Sequence, residues 1–186
     1  MPSNSQIPES SNMTRAFASL NAQESLHVAI FVEERNAGIY HRFAEMFTEF
    51  GDAESLEIAS VFWDMAVEEK RHSGILQARY QELYGNASCS LNDESLQDFV
   101  ELPRLEDADI FAVGPVAQVS ARERALQVAL AAETRAHDFY TKLVAETKDG
   151  PLRRLYIELS MMEDGHVVYL ERILASSTMG SDKGVN

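Results

Sequence analysis

Residues 25–40 read SLHVAIFVEERNAGIY, and one hundred positions later residues 125–140 read ALQVALAAETRAHDFY. Leu26, Val28, Ala29, Glu33, Arg35 and Tyr40 recur as Leu126, Val128, Ala129, Glu133, Arg135 and Tyr140. In both stretches apolar residues return three and four apart, which is the period of an amphipathic helix and not of a strand. Both hold a Glu, six residues and then a Tyr. Seven residues make nearly two turns, so each tyrosine shares its glutamate's face but lies roughly 10 Å along the axis. That is too far to share a metal ion with it. It is close enough to hydrogen-bond a carboxylate reaching in from a neighbouring helix.

Each repeat is followed by a second helical stretch. Residues 66–73, AVEEKRHS, contain Glu69-Lys-Arg-His72, and further on Glu163-Asp-Gly-His166 has the same spacing. Residues i and i+3 lie within about 60° of each other on a helix, so the Glu and His of each pair can aim at one point. The chain thus reads as two helical hairpins. The first helix opens at Asn21, with Glu24 placed for a capping box, and stops at Gly51. The second covers roughly 53 to 84 and closes at Gly85. The third is predicted to begin at a second capping box, Ser120 with Glu123, and to run into AETKDG. Gly150-Pro151 separates it from the fourth, which runs to about Ala175.

Residues 86–118 mix turn residues, two prolines and scattered apolar residues, and are far longer than antiparallel neighbours require. One long crossover between helices 2 and 3, with short loops elsewhere, predicts an all-α ferritin-like four-helix bundle. The bundle is expected over 19–176, with the crossover at about 86–118. Residues 1–18 and 177–186, rich in Ser, Asn and Gly, are expected to be disordered tails.

The 186 residues suit one domain, and 45% apolar content is ordinary for a globular chain. A formal charge of −14 argues against nucleic-acid binding, which needs cationic surface. Cys89 is the only cysteine, which excludes an internal disulfide and a CxxC thiolate site. Neither a secretory signal nor an apolar run of membrane-spanning length is present in the sequence, so no membrane association and a cytoplasmic location are the expectation.

Packing the four helices puts Glu33, Glu69, Glu133, Glu163, His72 and His166 on the inner face. Four uncompensated buried carboxylates are prohibitive, at several kcal/mol each. Two divalent cations supply the matching charge. A Glu from each of two helices and a Glu-x-x-His from each of the other two is the ligand pattern of di-iron and di-manganese bundles, with the paired Glu bridging and one His per metal. Adjacent acids are set aside by the repeat: Glu34 has Thr134 as counterpart and Glu68 has Met162.

At these residues the chain resembles the ferritin-like superfamily, and within it the rubrerythrin group. EERNAGIYHRFAE followed by DMAVEEKRH is also similar to the ferritin-like domain fused to vacuolar-iron-transporter-type proteins. The resemblance spans about residues 21 to 175. It implies two iron ions (Fe2+/Fe3+), peroxidase or ferroxidase chemistry, and an external electron donor. There are departures from the family pattern. Cys89 alone cannot supply a rubredoxin domain, and Ala136 stands where rubrerythrins tend to have a further Glu on the third helix, although His137 follows it.

Taken singly, each of the four glutamates reads as a solvated helix face and each of the two histidines as a satisfied core residue; together and in phase they read as ligands. Tyr40 and Tyr140 divide between plain core aromatics and hydrogen-bond donors to the ligands. His137 is a candidate extra ligand, His41 a surface residue, Cys89 a bystander, and Met161-Met162 core packing. The functional expectation is a non-haem di-iron oxidoreductase acting on hydrogen peroxide or dioxygen and Fe(II), as a homodimer. The alternative is a non-catalytic metal-binding module, either an iron sensor or a structural Zn or Mn bundle.

Overall fold

Four helices make up the regular structure of the described residues (20–89, 91, 115–148 and 150–180 in a computed structural model). They are α1 (Ala22–Phe50), α2 (Ala53–Tyr84), α3 (Pro115–Glu146) and α4 (Pro151–Gly180), with no strand among the described residues. The helices pack as two hairpins, α1 with α2 and α3 with α4, which meet across α1 and α3. The architecture is the all-α four-helix bundle that the repeat predicts. The expected N-terminal tail and nearly all of the crossover lie outside the described residues.

Local chemistry sets the helix ends. Asn21 and Glu24 form the reciprocal cap: the Asn21 N–H donates to Glu24 Oε2 at 2.9 Å, and the Glu24 N–H to Asn21 Oδ1 at 3.0 Å. Gly51, at φ 72°, takes the left-handed conformation that glycine adopts without a Cβ penalty and turns the chain into α2. Asp52 caps α2, accepting from the Ser55 N–H at 3.0 Å. Arg122 of α3 reaches the same carboxylate at 3.1 Å and Glu54 at 2.8 Å, pinning the second hairpin to the first at this end. Asp52→Ala removes both cap and ion pair. It is expected to lower the unfolding free energy by about 1–2 kcal/mol, read from urea denaturation.

Three expectations need correction. α3 starts at Pro115, more than a turn before the Ser120–Glu123 signature, so Ser120 is inside the helix and is not its cap. Proline has helical φ already built in, and its missing N–H falls among first-turn donors that have no partner anyway. α4 continues past Ala175 to Gly180, because Ser-Ser-Thr-Met contains no breaker and Ser176 bonds back to the Ile173 carbonyl at 2.7 Å. The rest of the expected C-terminal tail lies outside the described residues. Met161 is 71% exposed and takes no part in the core.

The interior has three storeys. One apolar cluster is built on Phe43, Phe47, Phe62, Met65, Leu126 and Leu170. A second is built on Leu26, Val32, Leu76, Phe139, Tyr156 and Leu159. Between them, halfway along each helix, lies a buried layer of acids and histidines. The apolar clusters supply the burial that drives folding. They also keep water from the polar layer, which makes its charges expensive unless they are neutralised.

Candidate metal centre

Glu33 of α1, Glu69 and His72 of α2, Glu133 of α3, and Glu163 and His166 of α4 meet in this layer. All four glutamates have no accessible surface. Their donor atoms form two overlapping groups, each with its atoms within 4.8 Å of one another. One group is Glu33, Glu69, His72 and Glu163; the other is Glu69, Glu133, Glu163 and His166. Glu69 and Glu163 belong to both, which is the position of a bridging carboxylate.

The histidines present Nδ1 inward. His72 Nδ1 lies 3.4 Å from Glu33, 3.5 Å from Glu163 and 3.9 Å from Glu69. His166 Nδ1 lies 3.1 Å from Glu133, 3.3 Å from Glu69 and 3.8 Å from Glu163. The two rings stack with centroids 6.1 Å apart. Glu33 Oε2, both oxygens of Glu69, both of Glu163 and His72 Nδ1 are buried without a hydrogen-bond partner. Buried polar atoms nearly always have partners. Five orphaned oxygens and one orphaned nitrogen, converging with the His166 side of the layer on two points, make a donor set that two divalent cations would satisfy. With only O and N donors it suits iron, manganese or zinc.

The tyrosines cross-link the hairpins. The Tyr40 hydroxyl of α1 donates to Glu133 Oε1 of α3, and the Tyr140 hydroxyl of α3 donates to Glu33 Oε1 of α1. Both rings are fully buried. Of the two readings open from the sequence, hydrogen-bond donor to a carboxylate is the one the geometry supports. Each bond holds one glutamate oxygen and leaves the other facing the cluster.

Without cations, the layer manages its charge through protons. Burial, then the charges of Glu163, Glu133 and Glu33, pushes the Glu69 carboxyl well above its usual range. Burial and Glu163 push Glu133 up as well. Glu163 is held below its ordinary value: burial opposes this, but the imidazoles of His166 and His72 outweigh it. Burial pulls His72 down, yet the carboxylates of Glu163 and Glu33 dominate and lift it to about 9. His166 is raised for the same reason, by Glu133, Glu163 and Glu69 against burial. Burial and the nearby carboxylates raise Tyr40 and Tyr140, so both stay protonated donors.

Glu68 does more than the sequence indicated. Its carboxylate, more than half exposed, meets His166 Nε2 at 2.7 Å, which sets the ring so that Nδ1 points inward. The repeat hid this role because the counterpart, Met162, has no carboxylate. Such outer partners typically change metal affinity 10–100-fold. Glu68→Gln is therefore expected to weaken the His166-side site about 10–100-fold while sparing the His72-side site, read by competitive metal titration.

Glu34 lies outside the cluster. It accepts from Gln77 at 2.6 Å and braces α1 against α2. His137 is not brought to the cluster either; its ring lies 3.8 Å from Asp138 and 3.5 Å from Thr141. His41 packs edge-on against Trp63, and Cys89 is a free thiol. Asn36, not among the expected site residues, is fully buried in the inward stripe of α1, three residues after Glu33. Its signal was a polar residue at an inward-facing position.

Fold and site together define a ferritin-like four-helix bundle whose buried carboxylates and histidines could bind metal. The family model described as rubrerythrin matches residues 24–108, covering α1, α2 and the segment that follows, and the chain is rubrerythrin-like there. Two solved structures share the fold. An uncharacterised conserved protein from Magnetospirillum magnetotacticum MS-1 is 23% identical, with a TM-score of 0.63 over 84% of this chain and 95% of that one. A hypothetical protein from Pyrococcus furiosus is 22% identical, with a TM-score of 0.65 over 88% of this chain and 94% of that one. The comparison with curated proteins gives no match. Among the described residues, no helix is long and apolar enough to cross a membrane.

Proposed function

We propose that the chain is a non-haem di-iron oxidoreductase of rubrerythrin or ferritin-like type, reducing peroxide or oxidising Fe(II). The observation that carries this reading is the pair of overlapping donor groups that share Glu69 and Glu163. Glu33 and His72 would complete one site, and Glu133 and His166 the other. Four carboxylates balance two divalent ions, so the buried layer becomes neutral on loading. When bound, the two irons supply the two electrons that reduction of an O–O bond requires.

The remaining roles belong to the protein. Glu69 and Glu163 hold the cations together. Tyr40 and Tyr140 orient the terminal carboxylates, and the flanking apolar clusters exclude bulk water. Glu68 fixes the His166 ring and, being exposed, marks the side on which the layer lies nearest solvent. An external electron donor and pairing of two copies belong to the same reading.

The test is anaerobic loading with Fe(II) followed by hydrogen peroxide or air. Two irons per chain, fast oxidation with an oxo-bridged diferric absorption, and turnover are the expected result. Tight binding of zinc or manganese with no redox turnover would instead identify a metal-binding module.

A further inference from the structure

Asn36 is the one buried amide of the inward stripe, and neither its Nδ2 nor its Oδ1 has a hydrogen-bond partner among the described residues. Leaving a buried donor and acceptor unmade is costly, and such groups in native proteins normally find a ligand or an ordered water. Three residues after Glu33, Asn36 is about 60° around the helix and one turn along, and helical side chains tilt toward the N-terminus, so the amide leans back over Glu33. The cross-helix contacts fix its level. His72 meets Glu33 and Phe62 stacks on Tyr40, so Asn36 falls level with the Glu69 turn of α2. The Tyr40–Glu133 and Tyr140–Glu33 bonds run antiparallel between α1 and α3 and bring Asn36 level with Ala136. Ala136 is buried, and its methyl can neither donate nor accept.

The histidines come from α2 and α4, so Asn36 and Ala136 flank the donor layer on the α1–α3 seam. We propose that Asn36 is the binding residue for a small oxygen ligand at the metal centre, donating through Nδ2 and accepting through Oδ1. The class that uses both is a protonated oxygen species such as water, hydroxide or hydrogen peroxide. Because Ala136 is the counterpart, the contact is one-sided and fixes which way the ligand lies. This inference rests on the dinuclear reading above.

The test uses azide as probe on the full-length diferric protein, titrated by its charge-transfer absorption. Metal content per chain is measured on the same samples. Asn36→Ala places on α1 the residue already accepted at Ala136 and is expected to keep two metals while binding azide about tenfold more weakly. Asn36→Ser, which retains a hydroxyl donor, is expected to recover much of that loss. Equal azide affinity in wild type and Asn36→Ala, with two metals in each, overturns the assignment and leaves the dinuclear reading intact. Loss of metal from Asn36→Ala with unchanged azide affinity per loaded centre also overturns it, because Asn36 then supports the metal-binding residues and not the ligand. Fewer than two metals in the wild type would remove the dinuclear reading, and this inference with it.

Discussion

Glu69→Gln is expected to lose both metals, whereas Glu133→Gln is expected to lose one. The difference follows from membership: Glu69 belongs to both donor groups and Glu133 to one. Metal analysis after loading and desalting checks it. The amide is nearly isosteric with the protonated acid, and burial among carboxylates already drives Glu69 toward that form when no cation is bound. The metal-free variant should therefore fold as stably as the metal-free wild type. Metal at a thousandfold above its Kd stabilises a protein by about 4 kcal/mol. Wild type should show that gain in thermal unfolding and Glu69→Gln should lose nearly all of it. Two metals retained by Glu69→Gln would sink the shared-carboxylate arrangement.

The metal-free and metal-loaded forms are expected to respond to pH with opposite sign. In the metal-free protein Glu69, Glu133 and both histidines bind protons more tightly folded than unfolded. Where the native state holds more protons, stability falls as pH rises. For Glu133 the loss runs from the ordinary carboxylate range up to about 8, and for His72 from 6.5 up to about 9. Glu163, held below its ordinary value, works the other way over a more acidic range. Metal-free Tm should therefore decline between pH 6 and pH 9. Loading requires deprotonated ligands and releases those protons, so metal affinity should rise across the same window. Thermal scans with and without Mn(II), and calorimetry in buffers of different ionisation heat, measure both. A metal-free protein that gained stability toward pH 9 would contradict the proton inventory of the layer.

Much of the bundle was legible because its signals are local and periodic. The boundaries of α1 and α2 follow from Asn21, Gly51 and Gly85, whose backbone preferences act whatever packs around them. The six converging residues were legible because a repeat pairs Glu33 with Glu133, and a one-turn spacing pairs Glu69 with His72 and Glu163 with His166. The start of α3 at Pro115 is not legible, because a Ser-x-x-Glu signature also occurs inside helices. Asn36 and Glu68 are not legible from the repeat, for a shared reason. Their counterparts, Ala136 and Met162, do not share their polar chemistry, so the repeat does not mark them.

By itself the amino-acid order determined two helical hairpins and which faces turn inward, because helical periodicity depends only on spacing along one chain. Tertiary packing alone decided which glutamate of the opposite hairpin each tyrosine hydroxyl reaches, and that Glu68 turns the His166 ring. Those relations join residues up to 107 positions apart. They depend on the register in which one helix lies against another, which the side chains of both helices fix together.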